Sequence, residues 1–303
     1  MVSGSLTNGA AQALADFERA ADPLIRLENV HINYPLKDGS RKKVLDGIDL
    51  TIRPGEFLSV VGRTGCGKST LLRLILGAEM PAEGRVLVDG REILRPDRDR
   101  GYVPQKYSLF PDKTVIENII FGPEVEEFNL LTRLTPRFYA RRKGFRAEAM
   151  RQLRRMGLHD SDAAKYPDQL SGGMQQRVAI AQALIMKPKI LLMDEAFSAL
   201  DPGTRAGMQK LIRQVWRETG TTVLFVTHNI AEAVDLGTRV VVLSKDHSDT
   251  ESAGSRITLD LSLPDADERL AKTGHNSRFA QIVEKVEQAT GHSRLDEEEV
   301  TEA

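Results

Sequence analysis

A glycine-rich stretch with the spacing G-x-x-x-x-G-K-[ST] begins at Gly62 and ends at Lys68 and Ser69. In such a loop, successive backbone N–H groups and the start of a helix form a cradle for phosphate groups. Glycine is required because a side chain would hold the backbone away from the ligand. We therefore predict that Lys68 reaches the β- and γ-phosphates of a nucleotide and that the Ser69 hydroxyl is a ligand of Mg²⁺. The predicted phosphate-binding residues are Gly62, Arg63, Thr64, Gly65, Cys66, Gly67, Lys68, Ser69 and Thr70.

The residues on either side of this loop are those of a strand, a loop and a helix. A β-branched run, 58–61, precedes the loop, and a leucine-rich helical pattern follows it up to Gly77. A glycine loop that only turns a corner is the simpler alternative, but it requires neither this spacing nor these flanks. Cys66 lies inside the loop, where it is interpreted either as a small packing residue or as a redox-sensitive thiol.

A second glycine pair occurs in the stretch LSGGMQQR, where Ser171 precedes Gly172 and Gly173. The residues that follow are compatible with a helix as far as Met186. A serine cap followed by exposed N–H groups makes an anion-binding helix start, although the same residues could form a plain helix cap. The sequence therefore contains a second candidate anion site, far along the chain from the first.

Two acidic residues, Asp194 and Glu195, directly follow the apolar run 190–193. In a phosphate-loop protein, an acid at the end of a buried strand is the expected partner of Mg²⁺, and the next acid can orient or deprotonate the attacking water. A structural acid pair is the alternative, but two buried carboxylates are costly without a cation or substrate. His228 ends the predicted strand 222–227 at the sheet edge where ligands bind, although a lone histidine is usually structural.

Composition sets the outer bounds of the function. The 303 residues can form one large domain or two smaller ones, and the net charge of −1 gives no general attraction to nucleic acid. No apolar run approaches the roughly eighteen residues that span a bilayer, and the sequence does not start with a signal-peptide pattern. With a single cysteine, an internal disulfide is excluded and a zinc cluster is implausible. These features favour the cytosol.

Helix and strand patterns alternate along most of the chain, which predicts an α/β fold. Residues 1–22 are predicted to be a flexible tail, and 291–303 an acidic, disordered tail. A helix is predicted over 114–121, and the charged sequence that follows it is also helical. The basic segment 133–155 indicates a solvated helix face or, alternatively, a surface near anionic lipid headgroups.

The order of these motifs resembles that of the ATP-binding cassette ATPases over roughly residues 24–244. The resemblance is carried by the phosphate loop, Gln105, LSGGMQQR, ILLMDE, SALD and His228. It implies a P-loop NTPase fold of the α/β class: an ABC-type nucleotide-binding domain with a RecA-like core, an antiparallel β subdomain and a helical signature subdomain. The implied bounds are 23–245 for the domain, about 106–187 for its helical subdomain and 246–290 for a strand and helix extension.

The resemblance also implies roles for individual residues. Tyr34 stacks on adenine, although the residue by itself is equally compatible with an ordinary strand-end aromatic. Gln105 contacts Mg²⁺ and senses the γ-phosphate, Glu195 is the catalytic base and His228 contacts the γ-phosphate. The family forms a head-to-tail dimer that encloses two ATP molecules. The ATP of the opposite subunit would be bound by Ser171, Gly172, Gly173 and Gln175, and Asp201 belongs to the D-loop.

Within the family, the chain is similar to importer subunits for nitrate, sulfonate and taurine. THNIAEAV, RITLDLSLP and SRFAQIVEKVEQ carry this similarity. The chain departs from it at Asn229, where an aspartate is usual, at 109–112, which lacks a tryptophan, and in the long segment 123–146. The implied partners are a second cassette, identical to the first, a membrane permease and an extracytoplasmic solute-binding protein, but no nucleic acid. The implied location is peripheral, at the cytoplasmic face of the inner membrane.

Two other functions match parts of the sequence. A soluble cassette ATPase of DNA repair, translation or cluster assembly would carry a coiled-coil insertion, a second cassette or a nucleic-acid patch, and none is evident. A P-loop kinase would leave LSGGMQQR without a role. The sequence therefore favours a transporter ATPase.

Overall fold

The structure, a computed structural model, describes residues 22–37, 39–106, 108–129, 132–245, 254–264 and 275–290. At its centre is a six-stranded sheet in which five neighbouring strands are parallel and one edge strand, β10 (Arg256–Ser262), is antiparallel. Because the parallel strands run the same way, the loops that follow them meet at one edge of the sheet. In sheet order the strands are β10 (Arg256–Ser262), β9 (Arg239–Ser244), β3 (Phe57–Val61), β8 (Thr222–Thr227), β7 (Ile190–Asp194) and β6 (Arg100–Val103).

The three middle strands of this sheet, β3, β8 and β7, are buried along their whole length. Their sequences FLSVV, TVLFVT and ILLMD are nearly continuous apolar runs, which is typical of parallel strands covered on both faces. The sheet is therefore the core of the molecule, and its buried strands hold the loops at their ends in fixed positions.

A second sheet has four antiparallel strands. Its first strand alternates between buried and exposed residues and contains an irregularity between Leu27 and Val30. Asn29, inside that irregularity, has a positive φ of 45°. The alternation shows that one face of this sheet packs on the core and the other meets solvent. In sheet order the strands are β2 (Arg41–Ile52), β1 (Ile25–Pro35), β4 (Glu83–Val88) and β5 (Arg91–Glu92).

Helix α1 (Lys68–Leu76) packs in one hydrophobic cluster with strands of both sheets. Its leucine-rich face is buried, including Leu71 and Leu72, and it ends at Gly77, which has the left-handed conformation that glycine tolerates. The packing of this buried face fixes the start of α1, which immediately follows the phosphate loop.

Three helices form a separate layer: α2 (Val115–Glu127), α3 (Pro136–Arg155) and α4 (Gly172–Leu184). Short 3₁₀ turns occur at Thr132–Leu134, Asp160–Ala164 and Pro167–Gln169. Most arginines of α3 are paired with carboxylates of the same layer, as in Arg141 with Glu127 and Arg154 with Asp160. These pairs favour the solvated helix face over the lipid surface as the interpretation of the basic segment 133–155.

Three further helices complete the described fold: α5 (Pro202–Thr219), α6 (Ile230–Leu236) and α7 (His275–Thr290). An apolar stripe of α5 faces inward, with Met208 and Val215 buried. Trp216 on this stripe is partly buried; its indole donates a hydrogen bond of 2.9 Å to the Gly55 carbonyl. Helix α7 packs in one cluster with α6 and β9. No helix in the described ranges is both long and apolar enough to cross a membrane.

The predicted strand 222–227 is confirmed to the residue. The helix predicted over 114–121 is longer and includes Pro123, and the helix after LSGG begins at Gly172. The predicted tails, 1–22 and 291–303, lie outside the described residues except for Asp22.

Candidate functional site

The phosphate loop connects β3 to α1 in a conformation that depends on its glycines. Gly65 and Gly67 have φ of 79° and 98°, the left-handed region that glycine tolerates. A Cβ on Gly62 would lie 2.1 Å from the Leu243 carbonyl oxygen, closer than any real contact. The three glycines are thus required by backbone geometry and close packing, which supports the phosphate-cradle interpretation over a simple corner.

Lys68 is the first residue of α1, and its side chain turns back over the loop. It is only 5% exposed. Its Nζ donates hydrogen bonds of 2.7 Å to the Gly62 carbonyl and 3.1 Å to the Arg63 carbonyl. The ammonium group is therefore held over the loop, where a phosphate could replace the carbonyls as its partner.

The two predicted oxygen ligands, Ser69 and Asp194, are in contact. Ser69 Oγ donates a hydrogen bond of 3.0 Å to Asp194 Oδ1, and the Tyr102 hydroxyl donates one of 3.3 Å to Asp194 Oδ2. Burial raises the pKa of Asp194 above its usual value, although the two hydrogen bonds act to lower that pKa. Burial and the neighbouring Asp194 carboxylate raise the pKa of Tyr102 to about 12, so this hydroxyl stays protonated and able to donate. Tyr102 was not among the predicted site residues, since nothing in the sequence places it beside Asp194.

Glu195 contacts two other predicted site residues. Gln105 Nε2 donates a hydrogen bond of 3.0 Å to Glu195 Oε2, and His228 Nδ1 lies 3.4 Å from the same oxygen. Glu195 has a φ of 44°, which is rare for a residue with a side chain, and its backbone N–H donates to the Val226 carbonyl on β8. The sheet holds this strained backbone in place, and the carboxylate lies at the sheet edge. Strained backbone of this kind is often found at functional sites.

A cavity of about 400 Å³ adjoins the phosphate loop. It provides space for a further part of a nucleotide beside the predicted phosphate cradle. Its basic side chains Lys42 and Lys245 were not predicted, because no motif marks them. The lining residues are Lys42, Arg63, Thr64, Gly65, Cys66, Ser244 and Lys245.

Two residues near the loop have contacts that bear on their predicted roles. Tyr34 is half-buried; its hydroxyl donates to Glu79 and accepts a hydrogen bond of 3.2 Å from Arg73. It pairs across the strands with Lys42, which lines the cavity, whereas Tyr34 itself does not. Cys66 is 5% exposed, and burial raises the pKa of its thiol, which favours the packing residue over the redox-sensitive thiol.

The LSGG segment lies at the start of α4 and presents Ser171 and Gly172 to solvent. Ser171 caps the helix: its Oγ accepts a hydrogen bond of 3.3 Å from Met174 N. Gln175 points inward instead, since its amide donates 2.9 Å and 3.2 Å hydrogen bonds to the carbonyls of Pro167 and Leu170. Within the described residues, no hydrogen bond or ion pair joins this segment to the phosphate loop.

The predicted D-loop residue, Asp201, caps the start of α5. Its Oδ1 accepts a hydrogen bond of 3.0 Å from Thr204 N. Thr204 is also the neighbour of Gly173, where a Cβ would lie 2.5 Å from its Cγ2 atom. The D-loop and the LSGG segment are thus packed together in one subunit.

The site suits Mg²⁺ bound together with a nucleotide. Mg²⁺ in nucleotide sites is held by one or two protein oxygens together with phosphate oxygens and water. The Ser69 hydroxyl and the Asp194 carboxylate are two such oxygens, 3.0 Å apart. Among the residues the structure describes, no group of three or more His, Cys, Asp or Glu side chains could hold a metal ion. The donor set therefore matches a cation that depends on the phosphates.

Comparison with protein families decides the identity of this arrangement. Residues 45–198, which contain the phosphate loop, Gln105, LSGG and Asp194, match the family described as ABC transporter. The chain belongs to the ABC transporter family. Membership identifies ATP as the nucleotide of this ABC cassette and ATP hydrolysis as its reaction, and it confirms the predicted P-loop NTPase fold.

One relative of this ABC cassette is the ABC transporter ATP-binding protein MJ0412 of Methanocaldococcus jannaschii, which is 47% identical to it over 208 residues. The match covers 68% of this chain and 73% of that protein. The taurine import ATP-binding protein TauB of Jannaschia sp. is 36% identical over 267 residues, 86% of this chain and 92% of that protein. The bicarbonate transport ATP-binding protein CmpC of Synechococcus elongatus is 41% identical over 259 residues, 84% of this chain but only 36% of CmpC. The match therefore spans most of TauB but little more than a third of CmpC.

A solved structure shows the same architecture. It is the dimeric post-hydrolysis state of the ATP-binding cassette MJ0796 bound to ADP and Pi, with a TM-score of 0.66 and 31% sequence identity. The similarity covers 80% of this ABC cassette and 99% of that chain.

Proposed function

We propose that this chain is the ATP-hydrolysing subunit of an importer, which drives a small solute through a separate membrane permease. The observation that carries the enzymatic part of this proposal is the set of contacts at Glu195. Glu195 Oε2 accepts a hydrogen bond of 3.0 Å from the Gln105 amide and lies 3.4 Å from His228 Nδ1. The next residue back, Asp194, is hydrogen-bonded to Ser69. Groups from four separate stretches of the chain therefore converge where the γ-phosphate of a nucleotide on the loop would lie.

Each of these groups has one proposed task. Lys68 binds the β- and γ-phosphates, and the phosphate-loop residues Gly62 to Thr70 hold the phosphate chain through backbone N–H groups. Glu195 orients the attacking water and accepts its proton. His228 donates a hydrogen bond to the γ-phosphate. Tyr34 stacks on the adenine, in spite of the contacts of its hydroxyl with Glu79 and Arg73.

Ser69, Asp194 and Gln105 are the proposed holders of Mg²⁺. When bound, the cation neutralises charge that develops on the phosphate oxygens. Ser69 Oγ and Asp194 Oδ1 already share one hydrogen bond, and the Gln105 amide that donates to Glu195 also carries the oxygen that would be a ligand of the cation. Gln105 thus connects occupancy of the nucleotide site to the orientation of the Glu195 carboxylate.

A second, identical cassette completes the proposed site. Ser171 and Gly172 are solvent-exposed at a helix start and make no hydrogen bond to the phosphate loop of their own subunit in the described residues, so they are free to bind an anion held by another subunit. Gly173 and Asp201 lie beside them, and Gln175 holds the segment in shape through its bonds to Pro167 and Leu170. Because ATP then contacts both subunits, it stabilises only the closed dimer.

The proposed transport function follows from the relatives, which are named for taurine, nitrate and bicarbonate. We take the solute to be of the nitrate, sulfonate and taurine class. The permease, an extracytoplasmic solute-binding protein and a peripheral position on the cytoplasmic face of the inner membrane belong to the same proposal. So do the domain bounds 23–245, about 106–187 and 246–290.

Replacement of Glu195 by Gln tests the enzymatic part. The variant should bind ATP with normal affinity and release phosphate at least 100-fold more slowly, the range expected when a general base is lost. With ATP and Mg²⁺ it should accumulate as a dimer in size-exclusion chromatography with light scattering, and Ser171 should be protected from hydrogen exchange. Normal turnover or a monomer with unprotected Ser171 would contradict the proposal. Lys68→Ala is the control, since it should lose nucleotide binding itself.

The transport part has a separate test. The tagged chain, expressed in its native host, should co-purify with a membrane protein of several spans. Purification with a soluble complex alone would instead indicate a cassette ATPase without a transport function.

A further inference from the structure

A buried carboxylate lies behind the site and has no task in the mechanism above. Glu232 is on α6, one helical turn after His228, and is 7% exposed. Both of its oxygens accept hydrogen bonds: Oε2 from the Thr227 hydroxyl at 2.7 Å, and Oε1 from the Gln209 amide at 2.8 Å. It therefore connects the end of β8 to the middle of α5.

The burial of this carboxylate is stabilised by neutral partners. Within the described residues, no Lys, Arg or His forms an ion pair with Glu232. A buried carboxylate is unfavourable unless hydrogen bonds offset its loss of hydration, so each of the two bonds matters. An apolar side chain would be the cheaper choice if packing were the only requirement. The two hydrogen bonds indicate that Glu232 serves to fix the positions of Thr227 and Gln209.

The first partner, Thr227, determines the backbone on both sides of His228. Its hydroxyl has a single proton, and donating that proton to Glu232 leaves oxygen lone pairs facing the next turn of the chain. The backbone N–H of Asn229 donates to that oxygen at 3.0 Å, and the Asn229 side chain in turn caps α6 by accepting from Glu232 N at 3.0 Å. His228 is the residue between these two anchors, which hold the backbone that carries its ring; Nδ1 of that ring lies 3.4 Å from Glu195 Oε2.

The second partner, Gln209, is on the helix that begins at Asp201. A parallel connection lies one turn further along, where Arg213 Nη2 donates to the Asp235 carboxylate at 2.6 Å and to its carbonyl at 3.0 Å. Helices α5 and α6 are therefore held together by two side-chain links on one face. A shift of α5 must consequently move Glu232 and, through Thr227, the loop that carries His228.

We infer that Glu232 is a positioning residue for the ATPase reaction: it fixes the His228 loop and couples it to the helix that starts at the D-loop. The inference rests on the proposed role of His228 at the γ-phosphate. It extends that role, because the D-loop end of α5 would then sense the partner subunit and transmit its position to His228 in the same cassette.

A double-mutant cycle on the full-length chain tests the inference, with steady-state ATP hydrolysis as the measurement. Glu232→Ala should lower kcat by about tenfold or more, as misplacement of a catalytic group does. The KM for ATP should change by less than about twofold, because the phosphate loop is untouched. In a His228→Ala background the same substitution should cause no further loss, since Glu232 acts through His228.

The outcomes separate the inference from the proposed function. If His228→Ala hydrolyses ATP normally, the role of His228 is wrong, and the inference is overturned with it. If His228→Ala is impaired while Glu232→Ala is normal, or if the two losses multiply, only the present inference is overturned. An impaired Glu232→Ala variant together with a double variant no slower than His228→Ala alone supports it.

Milder variants keep the test valid if Glu232→Ala folds poorly. Glu232→Gln should retain at least half of kcat, because its amide can accept from Thr227 and donate to a flipped Gln209. Gln209→Ala, at a partly buried position, should lower kcat about threefold, and only when His228 is present.

The matched control is Gln214→Ala on the same helix. It removes an exposed glutamine that donates a hydrogen bond of 2.8 Å to Glu218, and it should leave kcat unchanged. Equal effects of Gln209→Ala and Gln214→Ala would overturn the inference.

Discussion

Ser69 Oγ donates a hydrogen bond of 3.0 Å to Asp194 Oδ1, although 125 residues separate the two in the sequence. Ser69 lies in the first turn of α1, and Asp194 is the last residue of β7. The two meet because β3 and β7 both run parallel to β8, which places a helix start and a strand end at one sheet edge. This contact joins the phosphate loop to the acidic pair.

Replacing Asp194 by Asn should weaken Mg²⁺ binding rather than nucleotide binding. Asparagine keeps an oxygen that can accept from Ser69 but removes the negative charge that a hard cation prefers. We expect ATP to bind equally well in EDTA, and the affinity of the nucleotide complex for Mg²⁺ to fall on the order of tenfold or more. Titration of Mn²⁺ by electron paramagnetic resonance, with a non-hydrolysable ATP analogue, measures this affinity.

Tyr102→Phe is the control for Asp194→Asn. It removes the 3.3 Å hydrogen bond to Oδ2 and leaves both proposed ligands in place, so its effect on Mn²⁺ affinity should be the smaller one. An Asp194→Asn variant with unchanged Mn²⁺ affinity would show that the carboxylate is structural.

Two glycine substitutions should change stability in opposite directions. In Gly62→Ala, the new Cβ would meet the Leu243 carbonyl oxygen at 2.1 Å, and the backbone must shift. We expect a loss of about 1 to 3 kcal/mol in the free energy of unfolding, together with impaired nucleotide binding. Gly144 lies in the middle of α3, where an added Cβ would meet no atom within 4 Å, so Gly144→Ala should gain about 1 kcal/mol. Urea denaturation of both variants measures these changes, and equal signs would contradict the prediction.

The sequence was most informative where one physical requirement dominates. The phosphate loop could be located because its glycines are imposed by backbone geometry, and β7 and β8 because strands covered on both faces need continuous apolar runs. Asp194 and His228 could be placed at one edge because both end such strands. These inferences depend on local sequence and on the rule for parallel sheets alone.

Features that depend on distant contacts could not be predicted. Pro123 lies within α2, although a proline normally ends a helix; it is buried and lines a cavity with Phe145 of α3 and Met186. Glu195 takes a positive φ because β8 holds its backbone N–H, and Glu232 is buried because Gln209 and Thr227 meet it from two elements. In each case at least one partner lies on another element and far away in sequence, as Gln209 does from Glu232, so no local pattern reveals it.

The last prediction concerns the link between β10 and the antiparallel sheet. Asp46 on β2 is 7% exposed, and its Oδ2 accepts hydrogen bonds of 2.6 Å and 3.1 Å from Arg256 of β10. The hydrogen bonds from Arg256 hold the pKa of Asp46 below its usual value. A carboxyl whose pKa is lower in the folded state stabilises the fold above its unfolded pKa, and this stabilisation is lost as pH falls through the folded pKa.

We therefore expect Asp46→Asn to lower the free energy of unfolding by about 2 kcal/mol at pH 7, which is typical of a hydrogen-bonded charge, and by progressively less below about pH 4. Urea unfolding of both proteins between pH 3 and 7 measures the difference; a difference that stays constant, or grows in acid, would contradict the assignment. In an Arg256→Gln background the cost at pH 7 should shrink, because the guanidinium that stabilises the carboxylate is gone.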